Sequence, residues 1–410
     1  MRHVVVMVAT SYPRFPGDGV GSFMEPIAKG IAARGHEVHL VAPWHPAITR
    51  GKSEDGVFFH FFRYAPTPSM NVFGYAAGLR EDTHLKHTAW AVAPLAMAAG
   101  WFKAWRVATK KQATIMHAHW VIPGGVMAAP AAGARPLVVS LHGSDVFIAE
   151  RHALAGRAAR AVFNRAAWVT ACSDDLRTRA FALGAVDARS ETLPYGVDVA
   201  RFAPRPEARI EVRRELDLGA APVVFTAGRL VQKKGFGFLI DAVHGLAAAI
   251  PGVRVVIAGD GDMRAALSER ASALGVRLSL LGGQTQDQVA RLAAAADVIV
   301  VPSVHDVAGN VDGLPNFALE ALATGRPVVV TDVGGLPDLV TDGATGRVVP
   351  ERDPARLADA ISALLRRPAE ATRLGEAGRL MVARDFGWGR FAERLEQVYD
   401  RVSRSDKKSP

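Results

Sequence analysis

Runs of Val, Ile, Leu and Ala without polar alternation recur along the chain, and most are followed by stretches with helical spacing of apolar residues. In the first half such runs predict strands over His3–Ala9, Glu37–Ala42, Thr114–Ala118, Pro136–Leu141, Trp168–Ala171 and Glu191–Leu193. Helices are predicted between several of them, among them Ser22–Ala33 and Gly125–Ala132. Strands that lack alternation are covered on both faces, which means parallel sheets under helices. A polar, proline-bearing stretch, Phe202–Glu207, then reads as a linker. Beyond it the rhythm restarts, with strands over Pro222–Thr226, Val253–Ala258, Arg277–Leu281, Val298–Val301 and Pro327–Thr331. Helices are predicted over Phe236–Ala249, Met263–Leu274, Gln286–Ala295 and Asn316–Ala323, and three more within Pro354–Leu365, Ala369–Arg384 and Trp388–Val402. The predicted class is α/β: two tandem Rossmann-like, doubly wound domains, 1–203 and 207–385, with a polar tail at 403–410. Two such halves imply a central cleft, with ligands beyond the C-terminal ends of the strands.

Length agrees with two domains, because 410 residues exceed one ordinary core. The single cysteine, Cys172, excludes an internal disulfide and fits a reducing compartment. Met1-Arg2-His3 runs straight into Val4–Val8, which reads as a buried strand rather than a signal core. The apolar stretch Thr88–Gly100 is shorter than the ~20 residues of a membrane span. A cytoplasmic protein is expected. The net charge of +9 is uneven, with 21 Lys/Arg against 14 Asp/Glu in residues 1–200 and 28 against 26 in the remainder. No nucleic-acid recognition motif accompanies the basic excess, so nucleic acid is not an expected partner. An anionic membrane surface, an acidic acceptor and plain solubilising charge all fit.

The second half carries the sharper chemistry. The strand Pro222–Thr226 leads into Ala227-Gly228-Arg229-Leu230, and Lys234-Gly235 opens the next helix. A planar guanidinium and a compact ammonium at one strand mouth suit a diphosphate. Asp260-Gly261-Asp262 could signal a metal–nucleotide site, but Asp262 stands where a helix N-cap belongs and is read as a cap. In Asp312-Gly313-Leu314-Pro315-Asn316, Pro315 suits a first helical turn, and Gly325 suits the end of that helix. Asp312 and Glu320 then flank a helix N-terminus that favours an anion. Plain compensation of the helix dipole is the rival reading of the two acids.

Together, Gly228-Arg229-Leu230, Lys234-Gly235, Asp312-x7-Glu320 and Ala321-Leu322-Ala323-Thr324-Gly325 resemble the family 4 (group 1) retaining glycosyltransferases of the GT-B fold. The resemblance continues through Gly334-Gly335-Leu336-Pro337 and Asp342-Gly343-x-x-Gly346. In the first half it covers Gly17-x-Gly19-x-Gly21, Arg34-Gly35-His36-Glu37, His142-Gly143-Ser144-Asp145 and Tyr195-Gly196-Val197-Asp198. The resemblance implies that Arg229 and Lys234 bind the diphosphate of a nucleotide-sugar donor and offset charge on the leaving group. It implies that Glu320 accepts the ribose hydroxyls and that Asp312 lies near the transferred sugar. Where the family has Glu, this chain has the shorter Asp312. It also implies that a helix within 386–402 crosses back to the first domain, that the N-terminal domain binds the acceptor, and that no metal or other cofactor is required.

In the first half, Gly19 and Gly21 would let backbone N–H groups approach the diphosphate. A dinucleotide fingerprint fits less well, since Tyr12–Pro16 separates the glycines from the strand and no acid ends the second strand. By the resemblance, His142 lies beside the donor sugar and is a catalytic candidate with Asp312, Arg229 and Lys234. Asp145 either orients His142 or meets the acceptor, and His119 is an acceptor-side candidate. His117 and His119 make no metal site with the lone cysteine. Over Ala89–Lys111, Trp101 and Trp105 share one helical face, extended by Trp90 and Met97, while Lys103, Arg106 and Lys110 share roughly the opposite one. Such a helix either lies on an anionic membrane or packs on its own core. The expected activity is transfer of a hexose-type sugar to a glycan or lipid-linked acceptor, by an enzyme in the cytoplasm or peripheral on the inner face of the membrane. A sugar-nucleotide epimerase and a non-catalytic donor-binding scaffold are the rivals.

Overall fold

The computed structural model describes residues 1–406 apart from 66, 68–69, 72–73, 76–78, 81–83 and 86. It forms two compact units, Met1–Tyr195 with the chain from Trp388 onward, and Gly196–Gly387.

The first unit contains β1 (Val4–Val8), β2 (Glu37–Pro43), β3 (Ser53–Glu54), β4 (Val57–Phe62), a ribbon of β5 (Leu79–Arg80) and β6 (His84–Leu85), then β7 (Ile115–His119), β8 (Leu137–Leu141), β9 (Trp168–Ala171) and β10 (Ser190–Thr192). Eight of these strands form one sheet in the order β10-β9-β8-β7-β1-β2-β4-β3, parallel except where β3 meets β4. Val5 pairs with both Val38 and Ile115, which sets β1 at the centre. Val5, Val6, Met7 and Val8 are all fully buried, as a sheet covered on both faces requires. The C-terminal helix Trp388–Asp406 belongs to this unit. Its Leu395, Val398 and Tyr399 pack with Met24, Ile27 and Ile31 of the helix Met24–Ala33.

The second unit holds β11 (Val223–Ala227), β12 (Arg254–Ala258), β13 (Arg277–Leu280), β14 (Val298–Val301), β15 (Val328–Thr331) and β16 (Arg347–Val349). They form a parallel sheet in the order β13-β12-β11-β14-β15-β16. Val224, Val255, Ile257 and Val298 pack under Leu239, Ile240, Leu357 and Ile361.

Several expectations are corrected. The division falls at Tyr195/Gly196 and Gly387/Trp388 rather than at 203–207 and 385. The stretch from Gly196 belongs with the second unit because the Val197 N–H donates to the Phe386 carbonyl and Arg201 pairs with Asp287. Phe202 is buried, and Pro206 opens the helix Pro206–Glu215, where a missing N–H costs nothing. The final helix runs to Asp406, so the tail does not begin at 403; 407–410 lie outside the described residues. Asp262 is not a cap: Met263 occupies the N-cap position of Arg264–Ala273, without a side-chain acceptor. β4 and β16 went unread, the first an aromatic run and the second only three residues long.

The helix His87–Lys110 packs through its small side chains. Val92, Ala96, Ala104 and Ala108 are buried, and a side chain at Gly100 would collide with Met127. Trp101, Phe102 and Trp105 face outward instead, at 44, 50 and 45% exposure. The side chain of Trp90 lies outside the described residues. Among the described residues no helix is long and apolar enough to cross a membrane.

Candidate active site

In both units the strand order reverses at the centre, at β1/β7 in the first and β11/β14 in the second, and ligands of such sheets bind beyond the strand ends there. Most candidate residues lie at these two places, and His142 and Asp145 follow the neighbouring β8.

In the second unit the loop after β11 runs from Gly228 to Gly235. The Leu230 N–H donates to the Asp260 carbonyl at 2.9 Å, and the Val304 N–H after β14 donates to the Lys233 carbonyl at 2.9 Å. Gly235 is required here: its φ is +66°, and a Cβ would stand 1.8 Å from the Pro302 oxygen. This pins the short 3₁₀ turn Gln232–Lys234 against the loop that carries Asp312. Lys233 Nζ lies 3.1 Å from Asp312 Oδ1, and Lys234 Nζ lies 2.6 Å from Oδ2. All three side chains are 11–17% exposed. Burial pushes the Asp312 carboxyl up, but the two ammoniums outweigh it and hold the group well below the usual carboxylate range. Arg229 is exposed at the start of the loop.

Glu320 sits on the helix Asn316–Ala323, between Pro315 and Gly325 as its punctuation predicts. Burial pushes its carboxyl up to about 7. Pulling the other way, Gln286 Nε2 donates to Oε1 at 3.3 Å, and Arg201 and Lys234 add favourable charge. Arg201 Nη1 donates to Gln286 Oε1 at 2.6 Å, so a chain of two hydrogen bonds ends on Glu320.

In the first unit, the loop after β1 is fastened by Asp18. Its carboxylate accepts from Arg14 Nε at 2.6 Å and Nη2 at 2.9 Å, and from the Val20 N–H at 3.2 Å. Burial opposes this charge, but the bonds from Arg14 prevail and lower the pKa. A Cβ at Gly19 would meet no protein atom within 4 Å, so space over it is open. Gly21 is held by conformation, with φ +67° and Ser11 Oγ 2.9 Å from where a Cβ would be.

His142 follows β8 and is partly exposed. Its Nδ1 meets the Tyr195 hydroxyl at 2.6 Å and its Nε2 meets His119 Nδ1 at 3.1 Å. The rings of Phe23 and Trp120 lie 4.9 and 4.7 Å away. Burial, then the neighbouring His117, push its pKa down to about 3, so the ring is neutral at physiological pH. His119 is fully buried, and His117 behind it bonds Tyr399 and Ser140. His119 therefore backs His142 and cannot itself line an acceptor surface. Of the two roles read for Asp145, only the acceptor role is corrected. It is 1% exposed, and its oxygens accept from the backbone N–H groups of Val121, Gly143 and His142 at 2.7, 2.9 and 3.3 Å. The carboxylate ties the end of β7 to the His142 loop and does not meet an acceptor. Among the described residues no three His, Cys, Asp or Glu side chains gather as metal ligands.

Two family models divide the chain between them. Residues 17–201 match Glycosyltransferase Family 4 and residues 221–367 match Glycosyl transferases group 1. A GDP-mannose-dependent alpha-(1-6)-phosphatidylinositol monomannoside mannosyltransferase of Mycolicibacterium smegmatis is 37% identical over 270 residues, covering 65% of this chain and 70% of that enzyme. This chain is a member of the family 4 (group 1) glycosyltransferases. The enzyme of the same name from Mycobacterium tuberculosis is 35% identical to this chain over 267 residues, covering 64% of this chain and 69% of that enzyme. Glycogen synthase of Mycobacterium tuberculosis is 28% identical over 98% of this chain and 96% of its own length. Among solved structures, Anabaena HepE in complex with UDP superposes with a TM-score of 0.78 at 20% identity, covering 97% of this chain and all of that one. Sucrose-phosphate synthase from Thermosynechococcus elongatus gives 0.77 at 20% identity over 99% of this chain. The fold of this glycosyltransferase is therefore GT-B.

The sequence did not single out Lys233, Gln286, Arg201 or the Arg14–Asp18 pair. Lys233 had a signal in its adjacency to Lys234. Arg14 and Asp18 are four residues apart, a spacing that has meaning in a helix but none in an irregular loop.

Proposed function

We propose that this glycosyltransferase moves a hexosyl group from a nucleoside-diphosphate sugar to a lipid-linked or glycan acceptor, with retention of anomeric configuration. The observation that carries the reading is the pairing of Lys233 and Lys234 with Asp312 at the β11/β14 strand mouth, inside the region matched to the family. GDP-mannose and a mannosylated phosphoinositide are the first donor and acceptor to test, since the mycobacterial relatives are named for them. In this reading Arg229 and Lys234 take the charge that develops on the departing diphosphate. The Asp312 carboxylate faces the positive charge that grows at the anomeric carbon. Glu320 accepts the ribose hydroxyls, and the Gly19–Gly21 loop offers backbone N–H groups to phosphate. His142, with both ring nitrogens held by protein, presents a fixed neutral surface to the sugar rather than a proton. The acceptor hydroxyl attacks from the side on which the diphosphate leaves, and its proton passes to the leaving phosphate. No metal enters this scheme. Calorimetric titration with GDP, UDP and ADP, followed by product analysis of the sugar nucleotide that binds, tests it. A sugar released onto acceptor supports transfer. An altered sugar still on nucleotide supports an epimerase, and binding without turnover supports a scaffold.

Glu320 gives this reading a pH dependence. A protonated carboxyl is a weaker acceptor for two ribose hydroxyls than the carboxylate, so donor binding should weaken as pH falls through about 7, by at most about tenfold per unit once most of the group is protonated. Above about pH 8 the affinity should level off. Gln286→Leu removes the amide that favours the ionised form and should move the midpoint upward. Donor titrations at a series of pH values read both effects.

The exposed face of His87–Lys110 suits an anionic membrane. Leu95, Trp101, Phe102 and Trp105 stand outward, with Arg106 and Lys110 exposed beside them. Aromatic rings favour the headgroup boundary, and the cations favour anionic lipid. In vesicle flotation the protein should rise with anionic liposomes, and Trp101→Ser with Trp105→Ser should reduce that binding by about tenfold or more. A peripheral position on the inner face of the membrane follows from this proposal.

A further inference from the structure

Two adjacent lysines, Lys233 and Lys234, meet the single carboxylate of Asp312. The acid is one methylene shorter than the family's Glu, and a second lysine stands beside the one the resemblance assigns to the diphosphate. Adjacent side chains on a 3₁₀ turn point about 120° apart, yet both lysines converge on one carboxylate, each on its own oxygen. The turn leaves little choice. Gly235 is locked against the Pro302 carbonyl, and the Lys233 carbonyl is bonded by Val304 of the Asp312 loop. The stem of Lys234 runs past Gly228, whose Cβ position is 3.3 Å from Lys234 Cε. Lys234 thus lies along the start of the Gly228–Gly235 loop, while Lys233 is anchored on the side of Asp312.

Charge counting shows why both lysines are needed. This step rests on the proposed function, because it assumes a diphosphate donor. The diphosphate of a sugar nucleotide carries two negative charges and Asp312 adds a third. Arg229, Lys233 and Lys234 supply three positive charges. Without Lys233, Lys234 would have to serve the carboxylate and the phosphates at once, and Asp312 would lose the one of its two paired lysines that is not assigned to the donor.

We propose that Lys233 is the positioning residue of Asp312, holding the carboxylate through Oδ1 while Lys234 serves the donor diphosphate. Lys233 touches no reacting atom. It keeps Asp312 ionised and low in the site during the step in which Lys234 turns to phosphate. The charged groups that face Asp312 are Lys233 and Lys234, both from the turn.

The test uses the full chain, with GDP-mannose turnover by the wild type as its first arm. Absence of turnover with every nucleotide sugar would remove the proposed function, whatever Lys233 does. Given turnover, Lys233→Met should lower kcat by roughly tenfold or more while changing the donor KM by less than about threefold. At saturating donor its kcat should also gain an acid limb, as burial raises the carboxyl of Asp312 once Lys233 no longer offsets it, a limb absent from the wild-type kcat. Lys233→Arg should remove that limb, because a guanidinium reaches the same oxygen. Circular dichroism of each variant confirms folding. A Lys233→Met enzyme with unchanged kcat and a wild-type pH profile would overturn the proposal. So would a loss in donor KM alone, which would make Lys233 a diphosphate ligand, or an acid limb that Lys233→Arg leaves in place. If Lys233→Met does not fold, Lys233→Gln is measured by the same profile and read by the same outcomes.

Discussion

Lys234→Ala is expected to abolish most of the transfer activity. The ammonium is 17% exposed, lies 2.6 Å from Asp312 and stands on a turn fixed by Gly235. A preorganised cation aimed at a leaving group is worth more than the same charge in water, because no reorganisation is needed as charge develops. Removing one such donor costs on the order of 10²–10³ in kcat. Donor affinity should fall as well, since the diphosphate is charged in both ground and transition states. The two effects separate by steady-state kinetics with saturating acceptor: kcat and donor KM both worsen. Loss of folding is not expected, because the backbone contacts of the turn remain. Lys234→Arg should recover only part of the activity, as a planar fork does not reproduce a point charge at this distance.

Asp312→Asn should give the opposite pattern in KM. The amide keeps the shape but not the charge, so Lys233 and Lys234 lose their shared carboxylate. Both become available to the diphosphate, and donor affinity should hold or improve. Yet kcat should fall by about 10²-fold or more, since the charge facing the developing cation is gone. A parallel loss in kcat and donor affinity would instead place Asp312 in ground-state donor binding. Asp312→Glu is the informative companion. The longer side chain matches the family's residue, and its activity shows whether the missing methylene matters in a site with two lysines.

The parts of this molecule that were legible in the sequence are those fixed locally. The helix Asn316–Ala323 was read with the bounds it has, because Pro315 and Gly325 are start and stop signals that act within a turn. The buried parallel strands were read for the same reason: Val298–Val301 has only one way to hide four consecutive apolar residues at that length. What escaped depends on distant partners. A projection places Trp101 and Trp105 on one face but does not say which face the rest of the unit covers. Gly100 and Ala104 decide that, by letting the helix close on Met127 and Phe62. His119 and His142 were both singled out, but their direct hydrogen bond joins residues 23 apart through neighbouring strands. Asp145 could be read as orienting His142 or as meeting the acceptor, and only its burial reveals that backbone N–H groups use it up. The boundary near 203 was misplaced because polarity and proline suggest a linker, whereas Arg201 and Phe202 are fastened to the second unit.

The most direct measurement is incubation of the protein with GDP-mannose carrying labelled mannose and with vesicles containing a mannosylated phosphoinositide, followed by separation of lipid from nucleotide. The account predicts GDP release matched by label in the lipid fraction through a new α-linkage, both lost in Lys234→Ala. Label that stays on nucleotide, across GDP-, UDP- and ADP-sugars and with glycan acceptors as well as lipid, would contradict it.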